Sequence, residues 1–551
     1  MISRIKKALR TIRREGFSAG YSAFLRQIDK GRRDREYRDW AERYDKLDDA
    51  GRERLSAIAA ELEDAPLISV LMPVYNVEER FLREAIGSVR AQIYQNWELC
   101  IADDASTEPH VRKVLEELAA SDARIRVTFR EKNGHISAAS NTALEMVRGD
   151  FTALMDHDDL LAEDALLQAA RVIASRPEVN LIYSDEDKID ANGVRFQPMF
   201  KPDWSPELMR SLNLITHLCV FRTEVLPAIG GFRTGFEGSQ DYDLSLRFID
   251  SISPATIVHI PHVLYHWRAI PGSVALDSGE KTYAHERART ALTEHYRRSG
   301  IAARAVRGRG ELHRPEFLGE PPTVSVILWG DGQAEIEAGS VHEVRESASD
   351  VASIVREANE TSGDVLVFLH RDAGKLSSNF FSELAHRAAI NGVGAVGPKL
   401  HDEGGRIANA GFALGIMNGI GRPHFGMRRD DLGPFVGLAA DRNVLALSLA
   451  AIAVSRKAFD EAGGLDESFD DAVAAGIDLC LRLHEAGKRN VWTPWAEATS
   501  AVASYEIDET AIKKLRARWQ KYFERDPYYN PNLTAEGEDL RFAEPPRVSR
   551  Y

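Results

Sequence analysis

Three carboxylates crowd into the four-residue segment 156–159, DHDD, directly after an apolar run typical of a buried strand. Because like charges repel, a fold keeps such a cluster together when a cation lies among them. Asp156 and Asp158 are two residues apart, so both point to one side of an extended chain. Hard oxygen ligands of this kind suit Mg²⁺ or Mn²⁺ carrying the phosphates of a substrate. The alternative is a solvated acidic turn in which Asp159 caps a helix over 160–174.

Asp241 offers a second kind of chemistry. It follows a glycine-rich loop that ends at Gly238 and comes just before a helix predicted over 242–249. The helix dipole and the free amide groups of a first turn stabilise a carboxylate, so a plain helix cap by Asp241 or Ser239 is one interpretation. A positioned carboxylate also takes the proton from an attacking hydroxyl group, which makes Asp241 a candidate general base.

Strand-like and helical segments alternate strictly between residues 67 and 155. Such alternation predicts a parallel sheet with helices on both faces, and ligands bind these sheets beyond the carboxyl ends of the strands. Polar side chains follow each of the four predicted strands at that edge: Pro73, Tyr75 and Asn76; Asp103 and Asp104; Asn133 and His135; Asp156 and Asp158. Neither GxGxxG nor GxxxxGK[ST] occurs, so a Rossmann dinucleotide site and a P-loop are excluded.

The composition narrows the class of protein. A chain of 551 residues with 44% hydrophobic and 28% charged residues is typical of a soluble globular protein of several domains. Its net charge of −14 argues against a nucleic-acid partner. The three scattered cysteines exclude a disulfide scaffold and a zinc ribbon. With no apolar run near the roughly 20 residues of a membrane span, and no secretory signal, we expect a cytoplasmic protein.

The strand ends and Asp241 together resemble the family 2 glycosyltransferases of the GT-A fold. The resemblance covers residues 67 to about 273 and is carried by the segments SVLMPVYN, LCIADDAST, NGHISAASNTALEMVRGD, LMDHDD, YSDEDKID, FKPDWSPEL, EGSQDYDLSLR and HIPHVLYHWR, in this order. It implies an α/β fold with a nucleotide-diphospho-sugar transferase (Rossmann-like) core, a nucleotide-diphospho-sugar donor and a bound divalent metal, Mn²⁺ or Mg²⁺. The acceptor is expected to be a glycan or a lipid-linked glycan.

The resemblance also assigns roles to individual residues. It implies nucleotide-sugar binding by Pro73, Tyr75, Asn76, Asp103, Asp104, His135 and Asp156, and metal binding by Asp156, Asp158 and His266. Apart from the resemblance, Trp204, whose ring could stack on a sugar, and Asn213, His217 and Gln240 are predicted to bind the acceptor. Asp241 becomes the base, and a single base without a second carboxylate as nucleophile implies inversion at the anomeric carbon. Gln240 stands where many members have Glu. A structural histidine remains the alternative for His266, and a core position remains the alternative for Trp204.

The second half of the chain looks like a copy of the first. Gly463-Gly464, followed by Asp478 and Arg482, echoes Gly230-Gly231, followed by Asp243 and Arg247, in the same order. Its reactive positions differ, because the DxD becomes His370-Arg371-Asp372 and Gly476 stands in place of Asp241. We expect this copy not to catalyse transfer. It would instead bind acceptor glycan, hold an oligomer together or brace the first domain.

These patterns predict that the chain has four parts: a basic amphipathic helical segment over 1–64, a catalytic GT-A domain over 65–312, a degenerate GT-A-like domain over 321–510, and a C-terminal helix with an irregular tail over 511–551. Residues 1–30 combine an apolar stripe with clustered Lys and Arg, which predicts peripheral binding to the anionic inner face of the plasma membrane. The alternative is that this stripe packs on the rest of the protein.

The sequence as a whole predicts a metal-dependent glycosyltransferase of surface polysaccharide synthesis. The main alternative is a non-catalytic scaffold that binds nucleotide-sugar or glycan. A nucleotidyltransferase would be expected to carry a glycine-rich loop with Lys or Arg after the first strand, and the segment 71–76, LMPVYN, has none.

Overall fold

The computed structural model describes residues 31–270, 282–334, 336–337, 339–500 and 507–551. The basic helix predicted over 1–30 lies outside the described residues. Among the helices of the described ranges, none combines the length and the apolar character that crossing a membrane requires.

The first lobe is built on a nine-stranded sheet. Its strands are β1 (Ile68–Val74), β2 (Trp97–Asp103), β3 (Ile125–Phe129), β4 (Phe151–Leu154), β5 (Leu160–Leu161), β6 (Leu181–Ile189), β7 (Arg195–Met199), β8 (Cys219–Arg222) and β9 (Ile257–Arg268). Its helices, with one that precedes the sheet, are α1 (Asp49–Ala60), α2 (Glu79–Arg90), α3 (Pro109–Ser121), α4 (His135–Leu144), α5 (Ala165–Ser175), α6 (Pro206–Met209), α7 (Val225–Ala228), α8 (Gln240–Ile249) and α9 (Thr282–Arg298). The hairpin β10 (Ala303–Arg307) and β11 (His313–Phe317) closes the lobe.

The strand order is β3-β2-β1-β4-β8-β6-β9-β5, with β7 paired to β6. The strands β3, β2, β1 and β4 are parallel, as the alternating pattern predicts. The rest of the sheet is mixed, because β8 runs antiparallel to both of its neighbours, β4 and β6. Every residue of β1 and β2 is buried, as a sheet covered on both faces requires.

The second lobe has a sheet of its own. Its elements are β12 (Val324–Trp329), β13 (Glu343–Glu346), α10 (Val351–Asn359), β14 (Val365–His370), α11 (Phe380–Ala388), β15 (Val393–His401), β16 (Ile407–Asn409), β17 (Ala413–Ile416), β18 (Gly419–Gly421), β19 (Arg442–Asn443), β20 (Ala451–Ser455), α12 (Arg456–Glu461), α13 (Ala472–Glu485) and β21 (Arg489–Thr499). Its order β13-β12-β14-β20-β15-β21 matches β2-β1-β4-β8-β6-β9 of the first lobe, pair by pair and in direction. The chain therefore contains two tandem lobes of similar α/β topology.

The Gly-Gly and Asp-Arg pairs that both lobes contain serve packing. In the first, the Arg247 guanidinium donates to the Gly231 carbonyl at 2.7 Å and pairs with Asp243 at 2.8 Å. In the second, Arg482 donates to the Gly464 carbonyl at 2.7 Å and pairs with Asp478 at 2.8 Å. The similar sequence pattern therefore corresponds to the same local structure in both lobes, in which an arginine of a helix binds the loop that precedes the helix.

The C-terminal segment contacts both lobes and the N-terminal segment. It consists of α14 (Glu509–Arg518), α15 (Gln520–Glu524) and an irregular tail. Asn530 Nδ2 donates to Asp185 of the first lobe at 2.9 Å, and the Arg550 guanidinium pairs with Asp164 at 2.7 Å and with Asp45 at 3.0 Å. These buried ion pairs hold the tail, the N-terminal segment and the first lobe together.

Candidate active site at the carboxyl edge of the first sheet

Side chains from several elements line a cavity of about 60 Å³ at the carboxyl edge of the first sheet. Pro73 comes from β1, Asp156 follows β4, Asn213 and His217 lie between α6 and β8, and Asp241 lies in the first turn of α8. The cavity has the volume of about two water molecules, which is room for a cation and bound water.

Asp156, Asp159 and His217 form a cluster suited to a metal ion. Each offers one ligand atom, and these atoms lie within 4.8 Å of one another. Two carboxylate oxygens and an imidazole nitrogen form a donor set that suits Mn²⁺ well. The residues present therefore fit the divalent cation that the resemblance implies. Asp158 lies beside them with a partly exposed side chain.

The fold fixes Asp159 and does not use it as a helix cap. The Tyr265 hydroxyl donates to Asp159 Oδ2 at 2.6 Å, and the Arg268 backbone N–H donates to Oδ1 at 2.6 Å. The helix expected over 160–174 begins instead at Ala165, after Asp164. The alternative of a solvated capping turn is therefore wrong for Asp159, which is fully buried.

The electrostatics of the cluster favour a bound cation. Burial raises the pKa of Asp156, and Asp158 and Asp241 raise it further against the opposing effect of His217. Burial also raises the pKa of Asp159 well above its ordinary value, with Asp158 and Asp156 adding to the effect. Buried carboxylates this close resist ionisation together unless a positive charge lies between them.

His217 is oriented by its own set of contacts. Its Nδ1 lies 3.3 Å from Glu186 Oε2, and its ring stacks on Tyr265 with centroids 4.5 Å apart. Lys201 Nζ donates to the His217 carbonyl at 2.8 Å and to Glu186 at 3.2 Å. Burial alone would lower the pKa of His217, but Glu186, Asp159 and Asp156 raise it above its ordinary value. A carboxylate behind the ring is the usual support of a metal-binding histidine.

His266 is not brought to this cluster. Its Nδ1 bonds to Asp187 at 2.6 Å, and it lines a separate cavity of about 450 Å³ with Asp45 and Arg195. The physical reason is the alternation of side chains along β9: Tyr265 faces the carboxylates, so its neighbour His266 faces away. The assignment of His266 as a metal ligand is therefore corrected. His217, which the sequence assigned to the acceptor, takes the place beside the carboxylates.

Asp241 is held by groups that leave it facing the cavity. Asn213 Nδ2 donates to Asp241 Oδ2 at 3.0 Å. Burial raises the pKa of Asp241, while backbone amides of the first turn of α8, His217 and Asn213 oppose the rise. Gln240 also lines the cavity, and its side-chain oxygen accepts from the Gly238 N–H at 2.7 Å. Asp241 thus has the burial and the elevated pKa that suit a general base.

The nucleoside candidates lie farther along the same edge. Val74 pairs with Asp103 across β1 and β2, and Asp103 is buried with one oxygen, Oδ1, lacking a partner among the described residues. Asp104 Oδ1 accepts from the Gly134 N–H at 2.9 Å, and Asn76 Oδ1 accepts from the Thr107 N–H at 2.8 Å. Tyr75 and His135 are exposed. These loops place two carboxylates and an exposed aromatic ring at one edge of the sheet.

Trp204 lies away from the cavity that contains Asp241. It lines a different cavity together with residues of the second lobe and the tail, so its expected place beside the transfer site is corrected. The side chain is partly exposed, and it also packs against the core of the first lobe, as the alternative of a core position expects. The reason is that the chain from Asp203 to Ser205 is hydrogen-bonded to the tail and the second lobe.

The equivalent edge of the second lobe is filled by its own side chains. Arg371 donates to the Gly330 carbonyl at 3.0 Å and pairs with Glu346 at 3.1 Å, which spans the carboxyl ends of β12, β13 and β14. His370 Nδ1 bonds to Asp372 at 2.8 Å, and Gly476 is buried within α13. An arginine therefore occupies the edge where the first lobe presents its carboxylates.

Residues 69–226 match the family model described as glycosyl transferase family 2. The first lobe therefore contains a domain of this family. The matched segment contains β1 to β8 and the Asp156 cluster, whereas Asp241 and Tyr265 lie beyond it.

Two relatives extend over most of the chain. It is 39% identical over 547 residues to the uncharacterized protein y4gI of Sinorhizobium fredii, and the alignment covers 89% of this chain and 60% of that protein. It is 32% identical over 529 residues to the O-antigen biosynthesis protein RfbC of Myxococcus xanthus, and the alignment covers 87% of this chain and 41% of that protein. The chain thus spans less than two thirds of the length of either relative. A crystal structure of S. aureus TarS 1-349 is 20% identical, covers 42% of this chain and 72% of that chain, and has a TM-score of 0.32.

Proposed function

We propose that this family 2 protein transfers a sugar from a nucleotide-diphospho-sugar to a glycan or lipid-linked glycan in surface polysaccharide synthesis. The printed name of the relative RfbC, an O-antigen biosynthesis protein, supports this class of product. The single observation that carries the proposal is the cavity that Asp156, His217 and Asp241 share.

The proposed mechanism assigns separate tasks to these residues. Asp156, with Asp158 or Asp159, and His217 would hold a divalent cation, which would offset the charge that develops on the leaving diphosphate. Asp103, Asp104, Asn76, Tyr75 and Pro73 would hold the nucleoside along the strand ends. Asp241 would accept the proton of the acceptor hydroxyl as that oxygen attacks the anomeric carbon.

The small number of carboxylates in the cavity supports the proposal that transfer inverts the anomeric carbon. Among the described residues that line the cavity, the only carboxylates are Asp156 and Asp241. Asp156 belongs to the proposed metal cluster, which leaves Asp241 alone as base. A retaining double displacement would need a further carboxylate as nucleophile.

The rival proposal of a non-catalytic scaffold predicts binding without turnover. The test incubates the full chain with Mn²⁺ and a panel of UDP- and GDP-sugars, and measures donor binding by calorimetry and nucleotide release by chromatography. We expect binding of one donor with slow Mn²⁺-dependent release of its nucleotide, and faster release when a glycan acceptor is added. Donor binding without release in the presence of acceptor glycans would favour the scaffold.

The second lobe is proposed to be non-catalytic. Arg371 spans the strand ends of this lobe, and a glycine stands at position 476. The second lobe therefore lacks both the carboxylate pair and the base. We further propose that residues 1–30 bind an anionic membrane surface, which would bring the chain to a lipid-linked acceptor. Their basic amphipathic sequence supports this.

A further inference from the structure

A second cavity of about 420 Å³ lies where the first lobe, the second lobe and the C-terminal tail meet. Trp204 and His295 line it from the first lobe, His484 and Arg489 from the second, and Tyr528 from the tail. Its volume lies within the range of pockets that bind small organic ligands.

The residues on both sides of Trp204 are bonded to other parts of the chain, and its ring packs against the first-lobe core while staying partly exposed. On one side, the Asp203 N–H donates to the Pro527 carbonyl at 2.8 Å, and its carboxylate pairs with Arg525 at 3.1 Å. On the other side, Ser205 Oγ donates to Asn443 Oδ1 at 2.8 Å. The indole N–H forms no hydrogen bond with any described residue. A fixed aromatic ring with a free polar edge loses little entropy when a ligand stacks on it.

The tail and the second lobe supply the other side of the cavity. The Tyr528 ring lies 6.0 Å from His484, edge to face, and its hydroxyl forms no hydrogen bond within the described part of the chain. His295 bonds to Asp250 at 2.7 Å, and Arg489 pairs with Glu207 at 3.2 Å. The cavity therefore combines two aromatic side chains with polar groups in fixed orientations.

The cavity is separate from the transfer site. Asp241 lies in the first turn of α8, whereas Ile249 and Asp250, at the end of the same helix, line this cavity. Eight residues of helix span about 12 Å. Among the described residues, the two cavities have no lining residue in common.

We propose that this inter-lobe cavity is a second carbohydrate site, which binds pyranose rings of the glycan away from the transfer site. The choice of ligand rests on the proposed function. Pyranose rings present flat C–H faces that stack on Trp204, while their hydroxyl groups accept from the indole N–H and the Tyr528 hydroxyl. Such a site would tether a growing chain between transfers, and it gives the second lobe and the tail a role in binding.

The test compares the full-length wild type with Trp204→Ala and Trp204→Phe. Saturation-transfer NMR and titration calorimetry use two probes, maltohexaose and a hyaluronan hexasaccharide. We expect the wild type to bind one of them or both, Trp204→Ala to weaken that binding about tenfold, and Trp204→Phe to retain most of it because the ring can still stack. Equal binding by the wild type and Trp204→Ala would overturn the proposal, as would no binding of either probe to the wild type.

Two further measurements keep the proposal testable if a variant fails to fold or if the proposed function is wrong. Should Trp204→Ala fail to fold, Tyr528→Phe removes only a hydroxyl group and is expected to weaken binding about threefold, and unchanged binding would overturn the proposal. The transfer site is tested apart from it with Asp241→Asn. Transfer that survives in Asp241→Asn would reject Asp241 as the base, whereas no transfer by the wild type from any donor, with hexasaccharide binding still dependent on Trp204, would reject the proposed function and keep the carbohydrate site.

Discussion

Asn213 Nδ2 donates a 3.0 Å hydrogen bond to Oδ2 of Asp241. The amide thereby orients the carboxylate at the first turn of α8, and the Asn213 Oδ1 atom is itself buried without a partner among the described residues. Such an unpaired buried oxygen is costly unless a ligand satisfies it. A hydroxyl group of an acceptor sugar would do so while facing Asp241.

Replacing Asp241 by Asn should abolish transfer. The amide has nearly the same shape but cannot accept the proton, so the rate should fall by about 10²- to 10⁴-fold. Metal-dependent nucleotide binding should persist, because that site lies on other strand ends. Glu224→Gln, the same chemical change at an exposed position, serves as the control. Loss of nucleotide binding in Asp241→Asn would make the residue structural.

Replacing Asn213 by Ala should shift the pH dependence of turnover. The Asn213 hydrogen bond lowers the pKa of Asp241 against the raising effect of burial. Its removal should raise that pKa further, so the acidic limb of the kcat profile should move to higher pH. We expect turnover at neutral pH to drop roughly tenfold with little change in the donor KM. An unshifted acidic limb would show that Asn213 does not act through Asp241.

Metal binding should depend on His217 and not on His266. His217→Ala should weaken Mn²⁺ binding by about 100-fold or more, measured by calorimetry with apoprotein prepared with EDTA. His266→Gln, which keeps a hydrogen bond to Asp187 within reach, should bind Mn²⁺ as the wild type does. The reverse order of effects would restore His266 as the ligand.

Asp156→Asn should stabilise the metal-free protein. An acid whose pKa is higher in the folded state than in the unfolded state costs stability once the pH exceeds the unfolded value, and burial raises the folded pKa of Asp156. The metal-free wild type should therefore lose stability as the pH rises from the unfolded pKa of Asp156 to its higher folded pKa. Removing the charge should raise Tm near pH 7 and abolish the further rise that Mn²⁺ produces. A lower Tm in the metal-free variant would contradict this account.

Asp372→Asn in the second lobe should leave transfer unchanged. Asp372 bonds to His370 and accepts from Ser500 Oγ at 3.2 Å, contacts that an amide partly retains. Transfer activity and thermal unfolding of the variant would be measured in parallel, so that a loss of activity caused by unfolding is distinguished from a loss of catalysis. An inactive but folded variant would show that the second lobe takes part in catalysis.

Local patterns in the sequence determined most of the first lobe. Apolar runs followed by Pro73, Asp103 and Asp156 predicted the parallel strands β1, β2 and β4, and carboxyl ends of parallel strands necessarily meet at one edge. The tandem arrangement of similar lobes was also visible in sequence, because the Gly-Gly and Asp-Arg devices depend on contacts close together along the chain. Both features rest on short-range periodicity.

Only the tertiary structure decided which distant side chains meet. His217 and His266 are both plausible ligands by residue type, and the direction in which each faces is set by the loop before β8 and by the alternation along β9. The place of Trp204 depends on bonds to Asn443 and Pro527, far away in the chain. Contacts between segments hundreds of residues apart leave no periodic trace in the sequence, so their partners emerge only when the chain is folded.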